Sequence, residues 1–321
     1  MRLSVALCTY NGAKYLQAQL DSLRAQIRLP DELVVCDDRS TDGTLEILQA
    51  FASASPFPVR IHVNPVNLGS TKNFEQAVAQ CSGDAIFLCD QDDVWCPEKL
   101  ARFEAVLAAD PTTGLVASDL ELIDAAGGRL NRRVWAELPF NALMRVKTES
   151  DGGPRLWLRA NTITGAAMAF RASLREVVLP IPPCWVHDAW IAFLVGALSP
   201  VRLITDPLTE YRSHSGQQIG SEPLTLRRQI RAARRMDAAY FARVVECFTA
   251  AADRLSAFSS RVRDPDLIGL TRAKAEFARA QYQMRMGGRV GRLGPAVREL
   301  VRGNYARFGR GLKGFAADLL L

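Results

Sequence analysis

The sequence has 321 residues and a formal net charge of +6, with 48% hydrophobic and 23% charged residues. These values exclude a disordered or fibrous chain, and the length allows one large α/β domain with an appended segment, or two modest domains. No apolar run approaches the roughly 20 residues of a membrane-spanning helix, and the first residues lack a signal-peptide pattern, so we expect a soluble, cytoplasmic protein.

The first 90 residues alternate between short apolar runs and segments with helical spacing. This alternation predicts an α/β fold with a mostly parallel sheet that is covered by helices on both faces. Ligands of such sheets bind at the carboxyl ends of the strands. Strands are expected at residues 3–9, 32–37, 59–63 and 85–89, and helices at 15–26, 41–51 and 71–80.

The pattern is weaker in the middle of the chain and changes near residue 220. From Thr225 onward, Arg/Ala-rich stretches carry apolar residues at helical spacing, such as Leu226, Ile230 and Ala233, and predict two or three helices. We therefore expect one domain over residues 1–220 and a basic helical region over 221–321. In between, we expect a helix at 97–108, a strand at 114–118, an insertion or flexible loop at 127–154, a strand at 162–171, an apolar helix from Asp188 and a strand at 201–205.

Three acidic residues follow the fourth predicted strand. In an extended backbone Asp90 and Asp92 point the same way, with Gln91 between them and Asp93 after them. Paired carboxylates suit Mg²⁺ or Mn²⁺, which complete their coordination with substrate phosphates. A solvated acidic turn is the alternative interpretation. Since no GxGxxG or Walker P-loop is present to hold phosphates, a metal on this turn would be the substitute.

A second acidic pair ends the second predicted strand. The carboxylates of Asp37 and Asp38 could accept hydrogen bonds from a base N–H or a ribose hydroxyl. The alternative is capping of the next helix, which accounts better for Ser40, Thr41 and Asp42.

Two polar groups lie further along the chain. Asp188, at the start of the apolar helix, is either an N-cap or a catalytic base, and His187 is a partner, a packing residue or a proton carrier. Arg212 could pair with phosphate oxygens, and His214 could ligate a metal or donate to phosphate. Without the other motifs, this second group is only a polar loop.

Together these motifs resemble the family 2 glycosyltransferases. The resemblance covers roughly residues 2–220, and the motifs match in order and spacing. Within them, residues 72–74, 163–165 and 211–214 are most similar to bacterial rhamnosyltransferases of O-antigen and capsule assembly. The motifs that carry the family resemblance are residues 6–12, 37–44, 67–69, 90–95 and 187–190.

The resemblance implies a GT-A fold over residues 1–220 and an inverting transfer of a sugar from a nucleotide diphosphate. The expected donor is dTDP-rhamnose, and the expected acceptor is a hydroxyl of a growing, lipid-linked cell-surface glycan. Asp90, Asp92 and His214 would bind Mg²⁺ or Mn²⁺, and Asp188 would deprotonate the acceptor. The nucleotide sugar would be bound by Thr9, Tyr10, Asn11, Asp37, Asp38, Asn67, Lys72, Asn73, Asp90, Gln91, Gly165 and Arg212.

Two other functions compete with this hypothesis: a catalytically silent scaffold that binds nucleotide sugars, and a transferase that uses a UDP-sugar. The basic C-terminal region lacks the interleaved aromatic and basic residues of nucleic-acid binding, so no nucleic-acid partner is expected. Its periodic apolar residues predict either peripheral contact with the inner membrane face or a helix packed on the catalytic domain. These residues are Tyr305, Phe308, Leu312, Phe315 and Leu319.

Overall fold

The computed structural model describes residues 1–138, 140–151, 153–214, 236–287 and 289–320. The chain forms two compact units: Met1–Gly153 with Thr162–Ser221, and Pro154–Asn161 with Glu222–Leu321. Several features of the sequence lie outside the described residues. They are the boundary predicted at residue 220, residues 215–218 of the polar loop after His214, and the helical spacing of Leu226, Ile230 and Ala233. The domain boundary therefore stays a prediction.

The first unit is built on a mixed sheet of nine strands, with the order β3-β2-β1-β4-β8-β6-β9-β5 and β7 paired to β6. Strands β1 to β4 are parallel to one another, while β8 runs antiparallel to both β4 and β6. The strands are β1 Leu3–Thr9, β2 Glu32–Asp37, β3 Val59–Val63, β4 Ala85–Asp90, β5 Val94–Trp95, β6 Leu115–Ile123, β7 Arg129–Arg133, β8 Met168–Arg171 and β9 Val201–Arg212.

The predicted alternation of strands and helices is confirmed from β1 to β4. Every residue of β1 and β2 is buried, because the neighbouring strands and the helices on the sheet cover both faces. The apolar helix at His187–Leu198 is also buried over most of its length. The helices of this unit are Ala13–Arg24, Thr44–Ala54, Ser70–Gln80, Lys99–Ala109, Val134–Glu137, Ala142–Asp151, Arg175–Val178 and His187–Leu198.

Two of the predicted segments agree with the structure only in part. Residues 127–154, expected to be an insertion or a flexible loop, contain β7 and two helices, and their weak pattern arises because four of the five β7 residues are exposed. The strand expected at 162–171 is extended only from Met168. Before it, Gly165–Ala167 forms a 3₁₀ turn, whose first amide donates to Asp188 rather than to a neighbouring strand.

The second unit is helical in its described part. Its buried Asp318 accepts hydrogen bonds from Arg285, Gln281 and Tyr305, at 2.9, 2.8 and 2.7 Å. These contacts join three helices through one carboxylate. The helices are Pro154–Trp157, Ala238–Ala257, Leu267–Met286, Leu293–Val301, Asn304–Phe308 and Leu312–Leu320.

The aromatic residues of the C-terminal tail form part of the core of this unit. Tyr305 and Phe308 are fully buried, with ring centroids 5.1 and 6.3 Å from that of Phe277. The interpretation of these two residues as a membrane-facing surface is therefore wrong, because their rings pack inside the unit. No helix among the described residues is long and apolar enough to cross a membrane.

We expect Phe87→Ala to lower the free energy of unfolding by about 3–5 kcal/mol, because it leaves a cavity in a closed core. Phe87 is inaccessible to solvent, and its ring packs 5.4 Å from Phe103 and 6.2 Å from Trp95. Urea titration followed by tryptophan fluorescence measures the change. The control is Ile27→Ala, at a residue that is 71% exposed, where we expect a change within about 0.5 kcal/mol.

Candidate functional site

Strands β1, β2 and β4 end at the same edge of the sheet. Thr9 lies beside Asp37 in the register of β1 with β2, and Cys8 lies beside Asp90 in the register of β1 with β4. Thr9 and Asp90, which are 81 residues apart along the chain, therefore share one edge of the sheet.

Hydrogen bonds join the loops after β1 and β2. The carboxylate of Asp37 accepts from the hydroxyls of Thr9 and Ser40 at 2.7 and 2.6 Å, and from the Ser40 amide at 2.8 Å. Asn11 has a positive φ of 48°, which asparagine tolerates. Its amide N–H donates to Ser40 and its side-chain oxygen accepts from the Thr41 amide, each at 2.8 Å. Asp37 is thus the centre of this pair of loops.

Asp38 serves a different loop. Its two oxygens accept from the backbone amides of Leu68 and Gly69, at 2.7 and 2.8 Å, and from the side-chain amide of Asn64 at 2.8 Å. The side chain is buried, so these contacts make Asp38 part of the framework of the site. Asn67 is exposed in the same loop, and its amide donates to the Asp38 carbonyl at 3.4 Å.

The next helix contributes Lys72 and Asn73. Asn73 is buried, and its side-chain amide donates to the Cys36 carbonyl of β2 at 2.8 Å. Lys72 donates to Glu75 at 2.7 Å and to the backbone of Ile181 at 2.8 Å. Both residues therefore hold elements of the fold together.

Gln91 connects the acidic turn to the loop after β1. Its side-chain oxygen accepts from the Tyr10 amide at 2.8 Å, and its nitrogen donates to the Tyr10 carbonyl at 3.1 Å. The side chain passes over Gly12, where an added Cβ would overlap the Gln91 amide group. Gly12 is thus required for the close approach, while the Tyr10 ring stays exposed beside it.

Three carboxylates converge at this edge. Burial, followed by the charges of Asp92 and Asp188, raises the pKa of Asp90 above its ordinary value. Burial and the charges of Asp92 and Asp90 likewise raise the pKa of Asp93. The charges that act on Asp90 thus come from its neighbour Asp92 and from Asp188 of another element.

A buried lysine lies behind the acidic turn. Lys99 donates to the Ala166 carbonyl at 2.6 Å and to the Thr209 hydroxyl at 2.9 Å, and its ammonium lies 3.6 Å from the centroid of the Trp95 ring. Burial lowers its pKa to about 7, against the opposing charges of nearby acids that include Asp93. Lys99 could not be identified as a site residue from the sequence, because helical spacing assigns it to a helix without showing which face of that helix is buried.

The end of β9 closes the acidic turn. The Arg212 amide donates to Asp93 at 3.0 Å, and its guanidinium donates to the Asp92 carbonyl at 2.7 Å. His214 Nε2 lies 2.8 Å from Asp92 Oδ2. The Tyr15 ring lies 4.9 Å from the Arg212 guanidinium and 4.7 Å from the His214 ring. Tyr15 could not be predicted as a partner of these residues.

Asp188 lies in the first turn of its helix, but it is not the N-cap, which is Val186. One carboxylate oxygen accepts from the Gly165 amide at 3.0 Å, and the other accepts from the Ala189 amide at 2.6 Å. These two donors fix the orientation of the carboxylate.

His187 is a packing residue in this structure. It is 6% exposed, and its ring stacks on Phe74 with centroids 3.9 Å apart. Neither ring nitrogen has a hydrogen-bond partner among the described residues, and burial lowers its pKa. A Cβ on Gly165 would lie 3.2 Å from His187 Nε2 and from the Asp188 Cβ, so glycine leaves room for both side chains.

No three His, Cys, Asp or Glu side chains form a complete metal site in the described part of the chain. Asp90 and Asp92, with His214 on Asp92, nevertheless fit a divalent cation that takes its other ligands from phosphates and water, since Mg²⁺ is commonly bound by only one or two carboxylates. Burial and the charges of Asp92 and Asp188 raise the pKa of Asp90, and a divalent cation would neutralise those charges.

Comparison with known sequences identifies similar proteins for the first unit. The family model described as Glycosyl transferase family 2 matches residues 4–177, more than half of the chain. An uncharacterized glycosyltransferase of Nostoc is 27% identical over 67% of this chain and 65% of its own length. A dTDP-rhamnosyl transferase of Shigella flexneri is 33% identical over 29% of this chain and 34% of its own length. The alignments thus leave at least a third of each relative unmatched.

Two solved structures resemble the whole chain in fold. TarS 1–349 of S. aureus, in complex with UDP-GlcNAc, has a TM-score of 0.56 and 17% identity, over 99% of this chain and 90% of that one. The mannosyltransferase PcManGT from Pyrobaculum calidifontis, in complex with GDP-Man and Mn²⁺, has a TM-score of 0.51 and 19% identity, over 99% and 85%. The predicted GT-A fold with a C-terminal helical segment is confirmed by this likeness.

We expect Gly12→Ala to lower the free energy of unfolding by about 1–3 kcal/mol, because Gln91 must give up its two hydrogen bonds to Tyr10. Urea titration measures the change. Gly43→Ala is the matched control, since Gly43 also precedes a helix and an added Cβ there meets only the Ala13 Cβ, at 3.9 Å.

A double-mutant cycle identifies the cause of the Gly12 effect. In a Gln91→Ala background the added methyl group meets no amide. We therefore expect the loss in free energy of unfolding caused by Gly12→Ala to exceed that caused by Gly43→Ala by less than about 0.5 kcal/mol. Equal costs in the two backgrounds would contradict the proposed overlap.

Proposed function

We propose that this chain, which belongs to glycosyltransferase family 2, transfers a sugar from a nucleotide diphosphate to a glycan hydroxyl with inversion at the anomeric carbon. The observation that carries the proposal is the convergence of Asp90, Asp92 and Asp188 at one sheet edge. Two of these carboxylates suit a metal–diphosphate and the third suits a general base. A silent scaffold would not need all three.

The nucleoside is assigned to the loops after β1 and β2. Thr9 donates to Asp37, and Ser40 bonds to both Asp37 and Asn11, so these residues are already held, which limits the ordering that binding requires. The exposed Tyr10 ring offers an aromatic face on which a base can stack. Asp38 holds the neighbouring loop at Leu68 and Gly69, and Asn73 donates to the backbone of β2.

Asp90 and Asp92 are assigned to Mg²⁺ or Mn²⁺, with His214 on Asp92 as a further ligand or as its orienting partner. When bound, such an ion neutralises charge on the departing nucleotide diphosphate. Arg212 holds the turn by donating to the Asp92 carbonyl, and its amide holds Asp93. The likeness to an Mn²⁺-bound mannosyltransferase supports the metal only through the fold.

Asp188 is assigned as the base that removes the proton of the acceptor hydroxyl. The Gly165 and Ala189 amides orient its carboxylate. A carboxylate has about four acceptor positions, so two N–H donors leave capacity for the proton of the acceptor. His187, stacked and buried behind it, positions this turn instead of carrying the proton.

We propose L-rhamnose from dTDP-rhamnose as the donor sugar and a growing, lipid-linked cell-surface glycan as the acceptor. The motifs at residues 72–74, 163–165 and 211–214 and the partial match to a dTDP-rhamnosyl transferase support this donor. A UDP-sugar is the second candidate, supported through the fold by the TarS complex with UDP-GlcNAc.

We expect Asp188→Asn to lower the rate of transfer about 10²- to 10⁴-fold, because an amide cannot accept the proton. Donor affinity, measured by calorimetry in the presence of Mn²⁺, should stay within about twofold, since the metal ligands are intact. Asp21→Asn, at an exposed helical position, serves as the control and should retain full activity. Turnover by Asp188→Asn near the wild-type rate would contradict the assigned base.

We expect transfer to stop in EDTA and to return when Mg²⁺ or Mn²⁺ is added, because the acidic turn would bind the donor through a cation. Asp92→Asn should need at least about tenfold more metal for half-maximal rate. Release of nucleotide diphosphate from dTDP-, UDP- and GDP-sugars measures both effects and selects the donor. Full activity in EDTA would contradict the metal, and release from a UDP-sugar alone would contradict rhamnose.

A further inference from the structure

One helix of the second unit carries an apolar face that the fold leaves uncovered. In Leu293–Val301, the side chains of Leu293, Val297 and Val301 are 57%, 41% and 82% exposed. Successive positions four residues apart advance about 40° around a helix axis, so the three side chains form one stripe. Glu299 is buried on the opposite side, and Ala296 is buried about 60° from Leu293. The stripe therefore contributes little to the core of this unit.

Arginines flank the apolar stripe. Arg298 and Arg302 each follow a stripe residue by one position, about 100° further round the axis. Both line a groove of about 540 Å³ in the second unit. The charged residues of the groove are Arg279, Arg298, Arg302, Arg307, Glu276 and Glu299.

The groove has a net positive charge that the protein does not neutralise. Glu276 pairs with Arg279, and Glu299 pairs with Arg302 at 3.1 Å. Arg298 and Arg307 make no ion pair within the described ranges, and both are exposed. Two arginines thus remain available for an anion beside the apolar stripe.

The buried Glu299 fixes the end of this helix. One of its oxygens accepts from Arg302, and the other accepts from the Asn304 side chain at 2.6 Å. Gly303, with a positive φ of 73°, makes the turn between them. The stripe and the groove are consequently held by contacts that do not include the exposed apolar side chains.

We propose that this face of the second unit docks on an anionic lipid surface. Arg298 and Arg307 would bind lipid phosphates, while Leu293, Val297 and Val301 would enter the boundary between headgroups and acyl chains. Basic residues beside an apolar stripe are typical of helices that lie in a membrane interface, and here Arg298 lies on the same helix as the stripe while Arg307 lies on the next one, Asn304–Phe308. Positive charge complements anionic lipid, whereas a water-exposed stripe of this kind has no favourable partner in solution.

Co-sedimentation with vesicles tests the apolar stripe. Wild-type protein should pellet with phosphatidylcholine vesicles that contain phosphatidylglycerol, and binding should weaken as salt rises. Val297→Asp with Val301→Asp should lower the partition coefficient about tenfold or more, because two apolar side chains no longer enter the interface. Ile27→Asp, a similarly exposed apolar residue of the first unit, is the matched control and should bind as wild type.

Charge variants test the groove. Arg298→Ser with Arg307→Ser should lower binding roughly 25-fold, about fivefold for each arginine, and should reduce its salt dependence. Arg263→Ser is the control for loss of an exposed arginine and should have little effect. Wild-type protein that stays in the supernatant with phosphatidylglycerol at low salt would overturn the proposal. A dimer in light scattering that Val297→Asp with Val301→Asp converts to monomers would also overturn it, by assigning the stripe to a second copy.

Discussion

The concentration of negative charge at one edge of the sheet is the constraint on which the site depends. Burial and the charges of Asp92 and Asp188 raise the pKa of Asp90, and burial and the charges of Asp92 and Asp90 raise the pKa of Asp93. Like charges in a poorly solvated place cost free energy unless cations or N–H donors compensate them. The fold supplies part of that compensation through Lys99, whose charge opposes both shifts.

The compensation is distributed so that the acidic turn keeps its shape. Among the described residues, Lys99 pairs with no carboxylate; it bonds to the backbone of Ala166 and the hydroxyl of Thr209 and lies over the Trp95 ring. Its charge acts at a distance on Asp93, while the backbone amide of Arg212 donates to that carboxylate directly. Asp90 and Asp92 are partly exposed, whereas Asp93 is buried.

The part of the site that sequence predicts is the part coded by neighbouring residues. Asp90 and Asp92 follow a strand, and the alternation of elements places that strand beside β1, so their shared edge could be predicted. Tyr15 and Lys99 could not, because their roles arise from contacts with β9 and with the 3₁₀ turn, far away in sequence. The edge hairpin of β7 was missed for another reason: exposed strands have no apolar pattern to detect.

Motif residues also differ in whether their side chains lie at the sheet edge or hold a loop, and their spacing in the sequence does not show which. Asp37 and Asp38 are adjacent in sequence, yet consecutive side chains of an extended chain point to opposite sides. Asp37 consequently meets Thr9 and Ser40 at the sheet edge, while Asp38 accepts two backbone amides of the loop before the third helix. One carboxylate thus joins the loops after β1 and β2, and the other holds the loop before the third helix.

Prediction from the sequence is limited in a similar way for the second unit. Helical periodicity in the tail identifies apolar residues that share a face, but it cannot say whether that face is covered. Tyr305 and Phe308 pack against Phe277, whereas the side chains of Val297 and Val301 are 41% and 82% exposed. Large aromatic rings contribute most when buried, so they form the core, and smaller branched side chains remain outside. A membrane-facing surface in this region must therefore be sought on the helix whose core is already complete without its apolar stripe.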